Sequence, residues 1–215
     1  MGSKHSSKSR NWVARQNRDP YVKKARESDY RSRAAYKLQQ LDEKERLLRE
    51  GMSVVDLGAA PGSWSQYTVA KVGPTGIVVA VDRLDMGKIS GVMGIKGDFL
   101  DDAVVKKVTE ALGKRSADLV ISDLAPNLTG ISSVDQAAME DLVHAAVRFA
   151  LRHLGPKGVF IGKFFEGEQA DALRHKLEEA FSVVRVRKPD ASRAKSAEAY
   201  FVARHPLGRG EVCVS

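Results

Sequence analysis

Residues 53–64 read Ser53-Val54-Val55-Asp56-Leu57-Gly58-Ala59-Ala60-Pro61-Gly62-Ser63-Trp64. The first six form an apolar, β-branched run, the pattern of a buried strand. Small residues follow and predict a tight turn leading into a helix near 63–72. Such a turn lets a ligand approach the backbone, and the free N–H groups of the helix start face it. No Gly-Lys-Ser/Thr follows, so the turn is not a P-loop. It also lacks the G-x-G-x-x-G spacing of a dinucleotide site.

Reading outward, strand and helix alternate. IVVAVD (77–82) is a second strand, MGIKGD (93–98) a weaker third, and ADLVISD (117–123) a fourth. Residues 101–113 and 133–154 are predicted helices. The turn GPKG (155–158) leads to VFIGKFF (159–165). Residues 168–181 read as a helix, and SVVRVRK (182–188) and AYFVAR (199–204) as strands. Before the first strand, Ala35, Leu38, Leu41 and Leu48 recur at helical spacing over 32–49, with Gly51 as the stop. Residues 1–30 show no clear period and are expected to be a partly flexible arm ahead of a single domain, 31–215. Seven strands in mostly continuous apolar runs argue for an α/β fold, a mainly parallel sheet with helices on both faces.

In such sheets ligands bind beyond the carboxyl ends of the strands. Those ends carry Asp56 to Gly58, Asp82, Asp98, Asp123 and Lys163. Any one acid there is equally well an N-cap of the next helix, but four acids and a lysine from a buried strand point to a site. Asp82 suits the two hydroxyls of a ribose, and Asp98 an exocyclic amino group. A nucleoside cofactor without pyrophosphate fits this set, and S-adenosylmethionine is one.

The chain has 215 residues and a net charge of +8. Residues 1–37 hold eleven Lys/Arg against three Asp/Glu, and the remainder holds 24 of each sign. All excess positive charge therefore lies in the N-terminal segment, which predicts a polyanionic partner, with a solvated basic tail as the alternative. Trp12, Tyr21, Tyr30 and Tyr36 within it favour RNA, because aromatic rings stack on bases. No apolar run is long enough to span a bilayer, and the opening MGSKHSSKSRNW is polar and basic, so neither a membrane anchor nor a secretory leader is expected. With a single cysteine, Cys213, neither an intrachain disulfide nor a cysteine metal cluster is expected. A cytoplasmic monomer without a metal is the simplest expectation.

The atom methylated is narrowed by exclusion. Methylation at pyrimidine C5 needs a cysteine nucleophile, and Cys213 lies far from every strand end. Exocyclic amino methylation typically uses an Asp/Asn-Pro-Pro-aromatic loop after the fourth strand, where this chain has Ser122-Asp123-Leu124-Ala125-Pro126-Asn127. The charged groups Lys37, Asp123, Lys163 and Glu198 remain. The segments SRAAYKL (32–38), DLGAAPGSWSQ (56–66), SDLAPNLTG (122–130), GKFFEG (162–167) and KPDASRAKSAEAY (188–200) together resemble the FtsJ/RlmE family of ribosomal RNA 2′-O-methyltransferases. The resemblance implies a Rossmann-like methyltransferase fold and a catalytic tetrad of Lys37, Asp123, Lys163 and Glu198. It also implies cofactor contacts from Gly62, Trp64, Asp82, Asp98 and Asp123. The implied substrate is a uridine in the A-loop of 23S rRNA on the large ribosomal subunit. A 2′-hydroxyl gains nucleophilicity by losing its proton, which a lysine accepts only as the neutral amine. Burial and a neighbouring cation favour that form, while Asp123 opposes it. Three other readings stay open: a fold-retaining RNA-binding factor without activity, a nucleotide-dependent oxidoreductase, and ribose methylation of tRNA or an mRNA cap.

Overall fold

The computed structural model describes residues 19–167, 170–193 and 196–208. Thirteen elements follow in order: α1 (Pro20–Glu27), α2 (Ala35–Glu45), β1 (Ser53–Leu57), α3 (Ser63–Val72), β2 (Ile77–Asp82), β3 (Val92–Lys96) and α4 (Asp102–Leu112). Then come β4 (Ala117–Ser122), α5 (Ser132–His153), β5 (Leu154–Phe165), α6 (Ala170–Ala180), β6 (Phe181–Arg187) and β7 (Glu198–Pro206). The strands form one sheet in the order β3-β2-β1-β4-β5-β7-β6. Pairing is parallel from β3 through β5, and β7 runs antiparallel to both neighbours. The chain winds outward from β1 to β3 and then returns to lay β4 on the other side of β1. That reversal opens a crevice beyond the carboxyl ends of β1 and β4.

Alternation along each strand divides the core in two. Val55, Leu57, Val79 and Phe160 pack against α4, α5 and α6. Val54, Val78, Leu119, Ile121 and Ile161 face Leu38 and Leu41 of α2 and Trp64 and Tyr67 of α3. Each fully buried leucine or phenylalanine contributes about 1.5–3 kcal/mol. The same dry surroundings penalise any unpaired charge, so a lysine in β5 must find partners. The β2–β3 connection, residues 83–91, carries no helix, so near β3 the sheet has α4 on one face and this loop on the other. Among the described residues no helix is long and apolar enough to cross a membrane.

Four local expectations are corrected. The helix expected over 32–49 ends at Glu45, because Arg46 turns left-handed (φ 51°). Asp42 makes that stop: its Oδ1 accepts from the amides of Leu47 (2.9 Å) and Leu48 (2.8 Å), satisfying donors that a continued helix would have used. Gly51 belongs to the turn before β1 instead. Within the segment read as aperiodic, Asp19 caps α1 by accepting from Tyr21 N (3.1 Å), with Pro20 at the first helical position, an Asp-Pro signal for a helix start. The GPKG turn is absorbed into β5, which begins at Leu154. Tyr36, expected to stack on bases, is buried between Tyr21 and Tyr30, both at 5.7 Å between ring centroids. Trp12 and Cys213 lie outside the described residues.

Candidate active site

The turn after β1 is shaped by glycines. Gly58 has φ +74°, and a Cβ there would lie 2.7 Å from Leu124 Cδ2. Gly62, at φ +103°, precedes α3, and a Cβ there would meet Ile89 Cδ1 at 2.5 Å. Both positions favour glycine for conformation, and at Gly58 the Leu124 backbone, 3.3 Å from the added carbon, leaves little room as well. Trp64 is buried; its indole N–H donates to the Ala34 carbonyl (2.7 Å) and its ring leans on Tyr200 at 5.7 Å. Asp82, ending β2, accepts from Ala60 N (2.9 Å) and Leu84 N (2.7 Å). It therefore ties the turn after β1 to the β2–β3 loop. A cleft of about 680 Å³ runs under that loop, lined by Ala80, Asp82, Met86, Ile89, Gly94 and Lys96 among others. Of the expected cofactor residues, only Asp82 lines it. Asp98 follows β3 and accepts from Leu100 N (3.0 Å), with Arg83 at 3.9 Å.

Asp56 sits under the turn at 1% exposure. Its Oδ2 accepts from Ser65 Oγ (2.6 Å), and its Oδ1 has no partner. Burial pushes its carboxyl up to about 7, against the Ser65 hydrogen bond, and the charges of Asp123 and Asp82 add to the rise.

The four residues of the expected tetrad come together in two pairs. Lys163, 6% exposed, donates from Nζ to the Asp123 carbonyl oxygen (2.7 Å) and lies 3.1 Å from Asp123 Oδ1. Lys37 Nζ lies 2.7 Å from Glu198 Oε1. Sequence reasoning missed the residue that joins them. Tyr200 is fully buried, with its hydroxyl 2.8 Å from Asp123 Oδ1 and 3.2 Å from Glu198 Oε1. Antiparallel register places Tyr200 directly beside Lys163 and Glu198 beside Phe165. Burial, then the charges of Asp123 and Glu198, push the phenol well above its ordinary range, so it keeps its proton and donates. The available signal was a tyrosine within the apolar run 199–203, which when buried requires a hydrogen-bond partner. Ser192 Oγ also donates to Glu198 Oε1 (2.9 Å). A smaller hollow of about 210 Å³, lined by Ser32, Arg33, Lys37, Arg193, Ser196 and Glu198, opens beside this end of the network.

Strand order, the glycine turn at β1 and an acid at the end of β2 define the Rossmann-like methyltransferase class. The FtsJ-like methyltransferase family model matches residues 30–205, and the chain belongs to that family. It is 46% identical over 206 residues to a ribosomal RNA large subunit methyltransferase E of Pseudomonas fluorescens, covering 96% of this chain and 99% of that one. A protein of the same name from Cellvibrio japonicus is 48% identical, covering 94% and 96%. A crystal structure from Plasmodium falciparum, described as a ribosomal RNA methyltransferase, superposes with a TM-score of 0.74 at 30% identity, over 83% of this chain and all of that one.

Proposed function

We propose that the protein methylates the ribose 2′-hydroxyl of a uridine in the A-loop of 23S rRNA, on the large ribosomal subunit, with S-adenosylmethionine as donor and Lys163 as proton acceptor. It acts as a cytoplasmic monomer. The large subunit is named for the bacterial relatives. The observation that carries the chemistry is the buried Lys163–Asp123 pair, linked through Tyr200 to Glu198 and Lys37.

The residues present fit the cofactor. Gly62 keeps the turn after β1 free of a side chain, Asp82 and Asp98 offer acceptors for ribose hydroxyls and an amino group, and Trp64 anchors the start of α3 to the Ala34 carbonyl. Asp123 is shared between this set and the tetrad. When bound, the cofactor supplies an electrophilic methyl group on a sulfonium.

The chain's own residues prepare the hydroxyl. As an amine, Lys163 has two hydrogens, and Asp123 supplies two acceptors for them, its carbonyl and its Oδ1. The nitrogen lone pair is then free to take the 2′-hydroxyl proton. Tyr200 holds the Asp123 carboxylate in place. Lys37 is held by Glu198 at 2.7 Å and only partly exposed, so the pair fixes its ammonium at the edge of the network where the ribose would enter.

The test is methyl transfer from labelled S-adenosylmethionine to large subunits from a strain lacking the enzyme, with the product nucleoside mapped. A single 2′-O-methyluridine in the A-loop is expected. A base-methylated product, or transfer only to tRNA, overturns the proposal.

A further inference from the structure

The segment joining α1 to α2 belongs to the basic region, yet Arg31 and Ser32 in it are turned toward the cofactor turn and the start of α3. Gln66 of α3 brackets it, accepting from Arg31 N (2.8 Å) and donating to the Asp29 carbonyl (3.0 Å). Ser32 Oγ and Ser63 Oγ are 2.5 Å apart. The Arg31 guanidinium spans two loops: Nη1 donates to the Pro61 carbonyl (2.9 Å) and to that of Met86, and Nη2 to that of Lys88 (2.8 Å). Among the described residues it contacts no carboxylate. Pro61 belongs to the turn after β1, and Met86 and Lys88 to the helix-free loop roofing the cleft beside Asp82. That loop has few other ties, since a crossover helix is missing. The planar guanidinium spreads its donors over two nitrogens in fixed directions, which suits three carbonyls from two segments.

We propose that Arg31 is a positioning residue for the cofactor. It clamps loop 83–91 onto the turn after β1 through Met86 and Lys88, beyond the Asp82 tie at Leu84, and leads within six residues to Lys37. The inference rests on the proposed cofactor. It assigns Arg31 away from the phosphate-binding role that its place in a basic segment suggests.

The experiment measures binding of S-adenosylmethionine and S-adenosylhomocysteine by calorimetry, with steady-state methylation, for the wild type, R31A and R31K. The R31A variant is expected to weaken both ligands about tenfold, as the loss of charge-assisted hydrogen bonds at an open site implies. KM for large subunits stays within about twofold, and amide exchange over 83–91 accelerates. R31K restores little, because an ammonium is a point charge. Unchanged ligand affinity in R31A overturns the proposal. So does full rescue by R31K combined with a raised KM for subunits, which is the signature of a phosphate contact. If R31A does not fold, R31K decides between the same outcomes. A wild-type protein that binds neither ligand refutes the cofactor assignment itself, a result distinct from loss of the clamp.

Discussion

Replacing Asp56 with asparagine removes the one buried acid under the cofactor turn that lacks a partner for one oxygen. In the folded protein this carboxyl titrates at about 7, against an ordinary 3.8. Between those values the folded chain holds a proton that the unfolded chain has released. Stability therefore falls as pH rises through the window, by about 1.4 kcal/mol per pH unit. Over about three pH units the loss approaches about 4 kcal/mol, complete above pH 7 and absent below the unfolded value. An asparagine side chain has the shape of the protonated acid and cannot titrate. Its amide oxygen still accepts from Ser65, but its NH₂ group brings an unpaired donor, a constant cost of about 1–3 kcal/mol. Urea unfolding of wild type and Asp56→Asn at intervals from pH 4.5 to 8 reads the difference. The variant is expected to gain on the wild type steadily with pH and to level off above 7. Parallel stability curves would refute the reasoning, since the acid would then be ionised in the fold at no cost.

Lys163→Ala is expected to lower methyl transfer about 10²–10⁴-fold. Lys163→Arg, which keeps charge but not a neutral form, should do no better; near wild-type turnover in the arginine variant would move the proton to another acceptor. Glu45, with a 2% exposed side chain, holds Arg185, Arg187 and Arg204. Burial pushes its carboxyl up, but hydrogen bonds and charge from Arg187 and Arg185 outweigh this and hold it below the ordinary value. Glu45→Ala should cost about 2–3 kcal/mol at pH 7, below the usual range for a buried pair because the arginines keep some solvent. Its cost should shrink as pH falls through the carboxylate range, read by chemical denaturation. Deleting residues 1–18, which carry five Lys/Arg, should flatten the salt dependence of rRNA binding. The log–log slope should drop by up to about 0.9 for each phosphate those residues neutralise. Cofactor binding should stay unchanged, and an unaltered slope would mark the segment as a solvated tail.

The local units of the fold are legible in the chain. β-branched runs and small-residue turns are signals carried by near neighbours, so α3 falls on 63–72 as read, and β1, β2 and β4 match their apolar runs to within a residue or so. Strand ends single out Asp123 and Lys163, and motif likeness completes the set with Lys37 and Glu198. Periodicity carries no information about which strand lies beside which, or in what direction, because pairing is settled by competition among faces distant in the chain. It took the assembled sheet to set β7 antiparallel between β5 and β6. That register puts Tyr200 beside Lys163 and closes the hydrogen-bonded path across the tetrad. Packing likewise brings Arg31, one more charge in a basic segment, to three carbonyls in loops 30 to 57 residues away. Unpaired backbone carbonyls are present in every loop, and which guanidinium meets them depends on how α2 and α3 lie against the sheet.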